Sequence, residues 1–152
     1  GLSIGQAQIY IFVFMAAGVL GTFFGGPLAD RFGRRNLLLF SMLGAAPLTL
    51  LLPHVPLVFV LPLFALIGFI ILSSFSVSVV YAQELLPDKV GMVSGLTVGL
   101  AFGMGAIGSV ILGFLADVTS VRFIMILAST LPLLGMVTFL MPTDEKIREI
   151  NG

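Results

Sequence analysis

The chain has 152 residues, of which 59% are hydrophobic and only 9% charged, with a mean hydropathy of +1.20. A soluble domain carries about 25% charged residues, so these few charges cannot supply its polar surface, whereas a bilayer removes that requirement. Seven basic residues against seven acidic ones give no net charge and argue against a nucleic-acid partner, and the absence of cysteine excludes a disulfide framework or a thiolate metal site.

Charges punctuate the chain and leave charge-free stretches at 1–29, 36–83, 90–116 and 123–143. A membrane-spanning helix needs about 17–25 mostly apolar residues. The stretch 36–83 is too long for one span, and Pro53-His54-Val55-Pro56 divides it, because two prolines remove two amide donors and disfavour helix in the residues before them. The sequence therefore predicts an all-α membrane protein of five transmembrane helices, at about 6–28, 36–52, 57–81, 91–116 and 122–141, in a bundle over 1–142. A polar tail follows at 143–152.

Pro47, Pro62 and Pro132 fall inside spans, where neighbouring helices can satisfy the freed carbonyls. Sorting charges into alternate loops places Arg31, Arg34, Arg35, Lys89, Lys146 and Arg148 on one side and Arg122 alone on the other. Basic residues accumulate on the cytoplasmic face, so the tail is expected inside and the Pro53–Pro56 turn outside. The chain begins at Gly1 without a basic leader, and a further segment is expected upstream.

The densest cluster is Gly26-Pro27-Leu28-Ala29-Asp30-Arg31-Phe32-Gly33-Arg34-Arg35, between the first two spans. Glycine permits a tight connection, while carboxylate and guanidinium groups supply directional, charge-assisted hydrogen bonds. The cluster resembles the G-x-L-x-D-R-x-G-R-R loop of the major facilitator superfamily. The resemblance implies that Gly26 and Gly33 shape the loop, that Asp30 caps a facing helix, and that Arg31, Arg34 and Arg35 pair with carboxylates to lock the outward-facing state. The plainer reading is a topology anchor, which is compatible with that role. Three further spans follow the next helix before the polar tail, matching the copy of this loop after the eighth of twelve helices. The five spans would then be helices 8–12.

A second cluster, Tyr81-Ala82-Gln83-Glu84-Leu85-Leu86-Pro87-Asp88-Lys89, closes the third span on the same side. Glu84 is expected to meet an arginine of the first loop. In the fourth span Gly91, Gly95, Gly99 and Gly103 recur every four residues, the pattern of a close helix-packing seam in lipid, and Gly21 and Gly25 give the first span a smaller version.

Tyr81 to Pro87, Gly91-Met-Val-Ser-Gly-Leu96, Ala101-Phe-Gly-Met-Gly105 and Leu131-Pro-Leu-Leu-Gly-Met136 look like segments of the fosmidomycin-resistance proteins within that superfamily. This resemblance implies proton-driven efflux of a small antibiotic or related metabolite across a bacterial inner membrane. The implied partners are the lipid bilayer, protons, a small-molecule substrate, and the N-terminal half and seventh helix of the same transporter. No cofactor or metal is implied. No span interior holds an ionisable residue, although such a residue usually marks a proton relay. The candidate cavity groups are neutral: Tyr10, Thr22, Ser73, Ser74, Ser76 and Thr97.

Two other functions share parts of this pattern. An importer of a carboxylate or sugar would share the loop and the glycine pattern. A non-transporting membrane scaffold is disfavoured, and catalysis is not expected, because no nucleophile, metal cluster or paired carboxylates stand at reactive spacing.

Overall fold

The computed structural model describes residues 4–151, so the outermost ends of the bundle and tail ranges, residues 1–3 and 152, lie outside the described residues. The described residues are helical with no strand. Helix α1 spans Ile4–Phe32, α2 Arg34–Leu51, α3 Leu57–Leu85, α4 Val90–Val118, α5 Val121–Thr130 and α6 Asp144–Asn151. Short 3-10 turns occupy Pro87–Lys89, and a longer 3-10 stretch runs over Leu131–Leu140.

Helices α1, α3 and α4 are each long and apolar enough to cross a membrane. Lipid offers backbone groups no hydrogen-bond partners, which is why long apolar segments satisfy their own amides as helices. Large side chains such as Phe12, Phe23, Phe40 and Val110 lie on the outside of the bundle, an arrangement that costs little against acyl chains. Helix α2, with eighteen residues, is about 27 Å long, at the lower edge of what a bilayer requires.

The fifth span departs from the continuous helix expected over 122–141. It is α-helical only to Thr130 and continues as 3-10 turns from Leu131. Pro132 removes one amide donor and its ring crowds the preceding turn, and Gly135 three residues later weakens the helix further. Gly135 also meets α2 so closely that a Cβ there would collide with the Met42 side chain. The tail, expected only to be polar and short, forms α6.

Helices α1 and α3 make the most extensive contact and run in the same direction, since Tyr10 and Phe14 meet Phe64, Gly18 meets Leu72, and Gly25 meets Ser73. A Cβ at Gly21 would collide with the Phe69 carbonyl, and one at Gly68 with the Phe14 carbonyl. The backbones touch because these positions carry no side chain, the usual device where dispersion must replace the hydrophobic effect. Helix α2 packs on α3 and on the 3-10 stretch, and α4 leans on α3 and α5. Within α4 only Val93 is buried.

Alternating direction brings the ends of α1 and α3, the starts of α2 and α4, and the tail to one end of the bundle. A buried cluster sits there, formed by Ala29, Leu38, Val77, Tyr81 and Ile147. It supports the charged groups described next.

Candidate functional site

Gly33 is the whole connection between α1 and α2. Its φ of 85° lies in the left-handed region that L side chains avoid, so glycine is required at this joint. The helical hydrogen bonding carries across it, with the Gly33 amide donating to the Ala29 carbonyl at 2.9 Å and the Leu37 amide donating to the Gly33 carbonyl at 3.0 Å. The signature segment is thus helix on both sides of one residue. Gly26 lies within α1 in open space, where a Cβ would meet nothing within 4 Å.

This joint sets Asp30 and Arg34 one turn apart. Arg34 Nη2 lies 3.6 Å from Asp30 Oδ1, and Arg34 Nη1 forms an ion pair with Glu84 Oε2 at the end of α3. Arg34 is therefore the hub, joining the start of α2 to the ends of α1 and α3. Its side chain is 24% exposed, against 39% for Glu84 and 73% for Asp30. The Glu84 pair is the better shielded of the two and the stronger for it.

The other two arginines do different work. Arg35 Nη2 donates to the Phe139 carbonyl at 2.6 Å, tying α2 to the 3-10 stretch. The Arg31 guanidinium stands 5.9 Å from the centroid of the Phe32 ring, within range of a cation–π contact. Asp30 meets Arg34, and the start of α4 at Lys89 carries no side-chain cap.

Three contacts at this end had no counterpart in the sequence reading. The Tyr81 hydroxyl donates to the Pro142 carbonyl at 2.6 Å, with its ring 1% exposed. Ile147 of α6, 5% exposed, packs into the same cluster and holds the tail beneath the bundle. Gln83 Nε2 donates to Ser94 Oγ at 2.8 Å and links α3 to α4 across the 87–89 turn, while Ser94 Oγ donates to the Val90 carbonyl. The tail pattern of apolar Ile147 between charged neighbours was the one signal that could have found the second.

The neutral polar candidates fall into two groups. Thr22 Oγ1 donates to the Gly18 carbonyl at 3.0 Å, and Ser73 and Ser74 are buried, Ser73 directly against Gly25 in the α1–α3 contact. Tyr10 stacks edge-on against Phe64, and Tyr10, Ser76 and Thr97 are each partly exposed. The glycine track of α4 faces open space among the described residues: a Cβ at Gly91, Gly95, Gly99 or Gly103 would meet nothing within 4 Å. Among the described residues, the glycine contacts that bring backbone against backbone lie between α1 and α3.

The family model described as Major Facilitator Superfamily matches residues 1–152. The chain belongs to the major facilitator superfamily. It is 57% identical over 148 residues to an uncharacterized MFS-type transporter, YfnC, of Bacillus subtilis strain 168, covering 97% of this chain and 36% of that relative. It is 49% identical over 145 residues to the fosmidomycin resistance protein of Escherichia coli K12, covering 95% of this chain and 36% of that relative. The chain thus spans about a third of the length of the curated relatives it matches. No solved structure matches it. Membership in a family of membrane transporters, the apolar helices and the all-α architecture agree, and the long apolar faces are the surfaces of an integral membrane protein.

Proposed function

We propose that this chain supplies the eighth to twelfth helices of a secondary active exporter, driven by protons, that expels a fosmidomycin-like antibiotic or related small metabolite from a bacterial cytoplasm. Its C-terminal tail lies on the cytoplasmic side of the inner membrane. The observation that carries the mechanism is the ion pair between Arg34 and Glu84, which ties α2 to α3 at the basic end of the bundle. Holding that end together keeps the cytoplasmic mouth closed while the opposite end opens, and separating Arg34 from Glu84 frees α2 and α3 to part. Support for the substrate class comes from the name of the Escherichia coli relative.

Tyr10, Ser76 and Thr97 are the proposed cavity groups of this chain, supplemented by Thr22, Ser73 and Ser74 as the α1–α3 contact opens. The proton relay resides in the upstream helices, since the span interiors here hold no ionisable side chain. The open glycine track at Gly91, Gly95, Gly99 and Gly103 is proposed to receive one of those helices. Gly99→Leu in the full-length protein should therefore lower its thermal stability while Leu100→Ala does not, and equal stability of the two variants would remove this packing role.

The test of function is expression of the full-length transporter in a bacterial strain lacking endogenous efflux. Tolerance to fosmidomycin should rise, and inside-out vesicles should accumulate the drug until a protonophore collapses the gradient. Unchanged tolerance with the protein present in the membrane would refute the substrate class, and accumulation indifferent to the protonophore would refute the coupling.

A further inference from the structure

An open groove of about 730 Å³ runs along the outside of the bundle between the end of α1, the face of α2 and the 3-10 stretch. Its walls are almost wholly apolar: Leu28 and Phe32 on one side, Phe40 and Leu43 along the floor, Phe139 on the other side. Phe40 is 79% exposed, so the groove is unfilled by this chain. Polar groups gather at one end only. Asn36 lines the groove there and donates to the Phe32 carbonyl at 3.2 Å, Arg31 stands over Phe32, and Arg35 reaches the Phe139 carbonyl.

The groove follows α2 from Asn36 to Gly44, eight residues and therefore about 12 Å along the helix axis. That is close to one leaflet of a hydrocarbon core about 30 Å thick. An apolar slot of leaflet depth, with guanidinium groups against the Phe32 and Phe139 that line it, has the dimensions and charge order of an acyl chain below a phosphate. We infer that this groove binds an anionic phospholipid of the leaflet at the basic end of the bundle, with the headgroup phosphate against Arg31 and Arg35 and one acyl chain lying along Phe40 toward Gly44.

The site lies beside the Arg34–Glu84 pair without using it, and it depends on the chain spanning a membrane rather than on the identity of the transported substrate. Arg35 directly follows Arg34 in the chain, so a phosphate held by Arg35 stands next to the hub. Lipid charge in that leaflet would thereby reach the same end of the bundle that the ion pair holds closed.

The experiment places photoreactive benzoylphenylalanine at Phe40 of the full-length transporter, reconstituted in vesicles of equal phosphatidylglycerol and phosphatidylcholine. Mass spectrometry of the adducts should find phosphatidylglycerol favoured by about fivefold or more over phosphatidylcholine, the selectivity one arginine near a membrane surface confers. Arg31→Gln should reduce that preference by about fivefold while leaving lipid adducts in place. Leu51→benzoylphenylalanine, at the far end of α2, should show no headgroup preference. Equal capture of the two lipids at Phe40 would overturn the inference and leave only bulk lipid there. Crosslinking of Phe40 to an upstream helix, or no adduct at all, would overturn it as well, showing the groove filled by protein or closed.

Discussion

Replacing Glu84 by Gln removes the charge that holds Arg34 while keeping the shape of the side chain. Arg34 and Glu84 are 24% and 39% exposed, so the pair sits between a solvated surface contact and a buried one. Exposed pairs contribute about 0.2–1 kcal/mol, and the upper end of that range suits this degree of shielding. About 1 kcal/mol is roughly a fivefold shift in the proposed equilibrium between closed and open cytoplasmic mouths. Asp30 is 73% exposed and 3.6 Å from Arg34, so Asp30→Asn should shift the same equilibrium by about twofold or less. The assay is the rate at which a thiol reagent reaches a cysteine placed in the cytoplasmic cavity of the full-length transporter, with Arg34→Gln completing a double-mutant cycle. Arg34 and Glu84 should be coupled by about 1 kcal/mol, and the two single variants should each raise the rate. Additive effects would refute the pairing as a gate. A larger effect from Asp30→Asn than from Glu84→Gln would refute the ranking and point to a contact of Asp30 outside this chain.

Gly21→Val should destabilise the full-length protein strongly, because its Cβ would strike the Phe69 carbonyl, whereas Gly26→Val meets open space; equal thermal stability of the two would contradict the backbone contact between α1 and α3. Tyr81→Phe deprives the Pro142 carbonyl of its donor and should cost about 1 kcal/mol of stability and loosen the tail, read as faster proteolysis after residue 142; an unchanged cleavage rate would mean that Ile147 alone holds α6. A cysteine at position 34 should resist an impermeant reagent added outside intact cells while one at position 54 reacts, and the opposite pattern would invert the proposed orientation.

The architecture was legible because charge marks the ends of membrane helices and little else does. Asp30, Arg31, Arg34 and Arg35 announce one joint, and Pro53 with Pro56 announces another. The meeting of Arg34 with Glu84 was also within reach, since opposite charges at the same end of neighbouring spans have few alternative partners in a chain with so few charges. What escaped were contacts to backbone carbonyls. Arg35 to Phe139 and Tyr81 to Pro142 leave no trace in residue type at the acceptor, because every residue offers the same carbonyl. Glycine spacing was only partly informative for a related reason. The regular track from Gly91 to Gly103 signals a face that admits a backbone, but the pattern does not name the backbone. The less regular set of Gly18, Gly21, Gly25 and Gly68 makes the contact this chain completes by itself. In the fifth span, Pro132 read as a tolerated kink, whereas with Gly135 close behind it the stretch winds as 3-10 turns.

The partnership of α1 with α3, rather than with its sequence neighbour α2, fixes an order of assembly. As the chain leaves the ribosome, α1 reaches the bilayer with Gly18, Gly21 and Gly25 exposed along one face, and the matching surface at Gly68 to Ser73 is still unmade. Helix α2 has to insert in the opposite direction before α3 can be laid alongside α1. A synthesis pause between Leu51 and Leu57 would therefore strand a hairpin hinged on Gly33, its most adhesive face open to any other small-residue helix passing in the membrane.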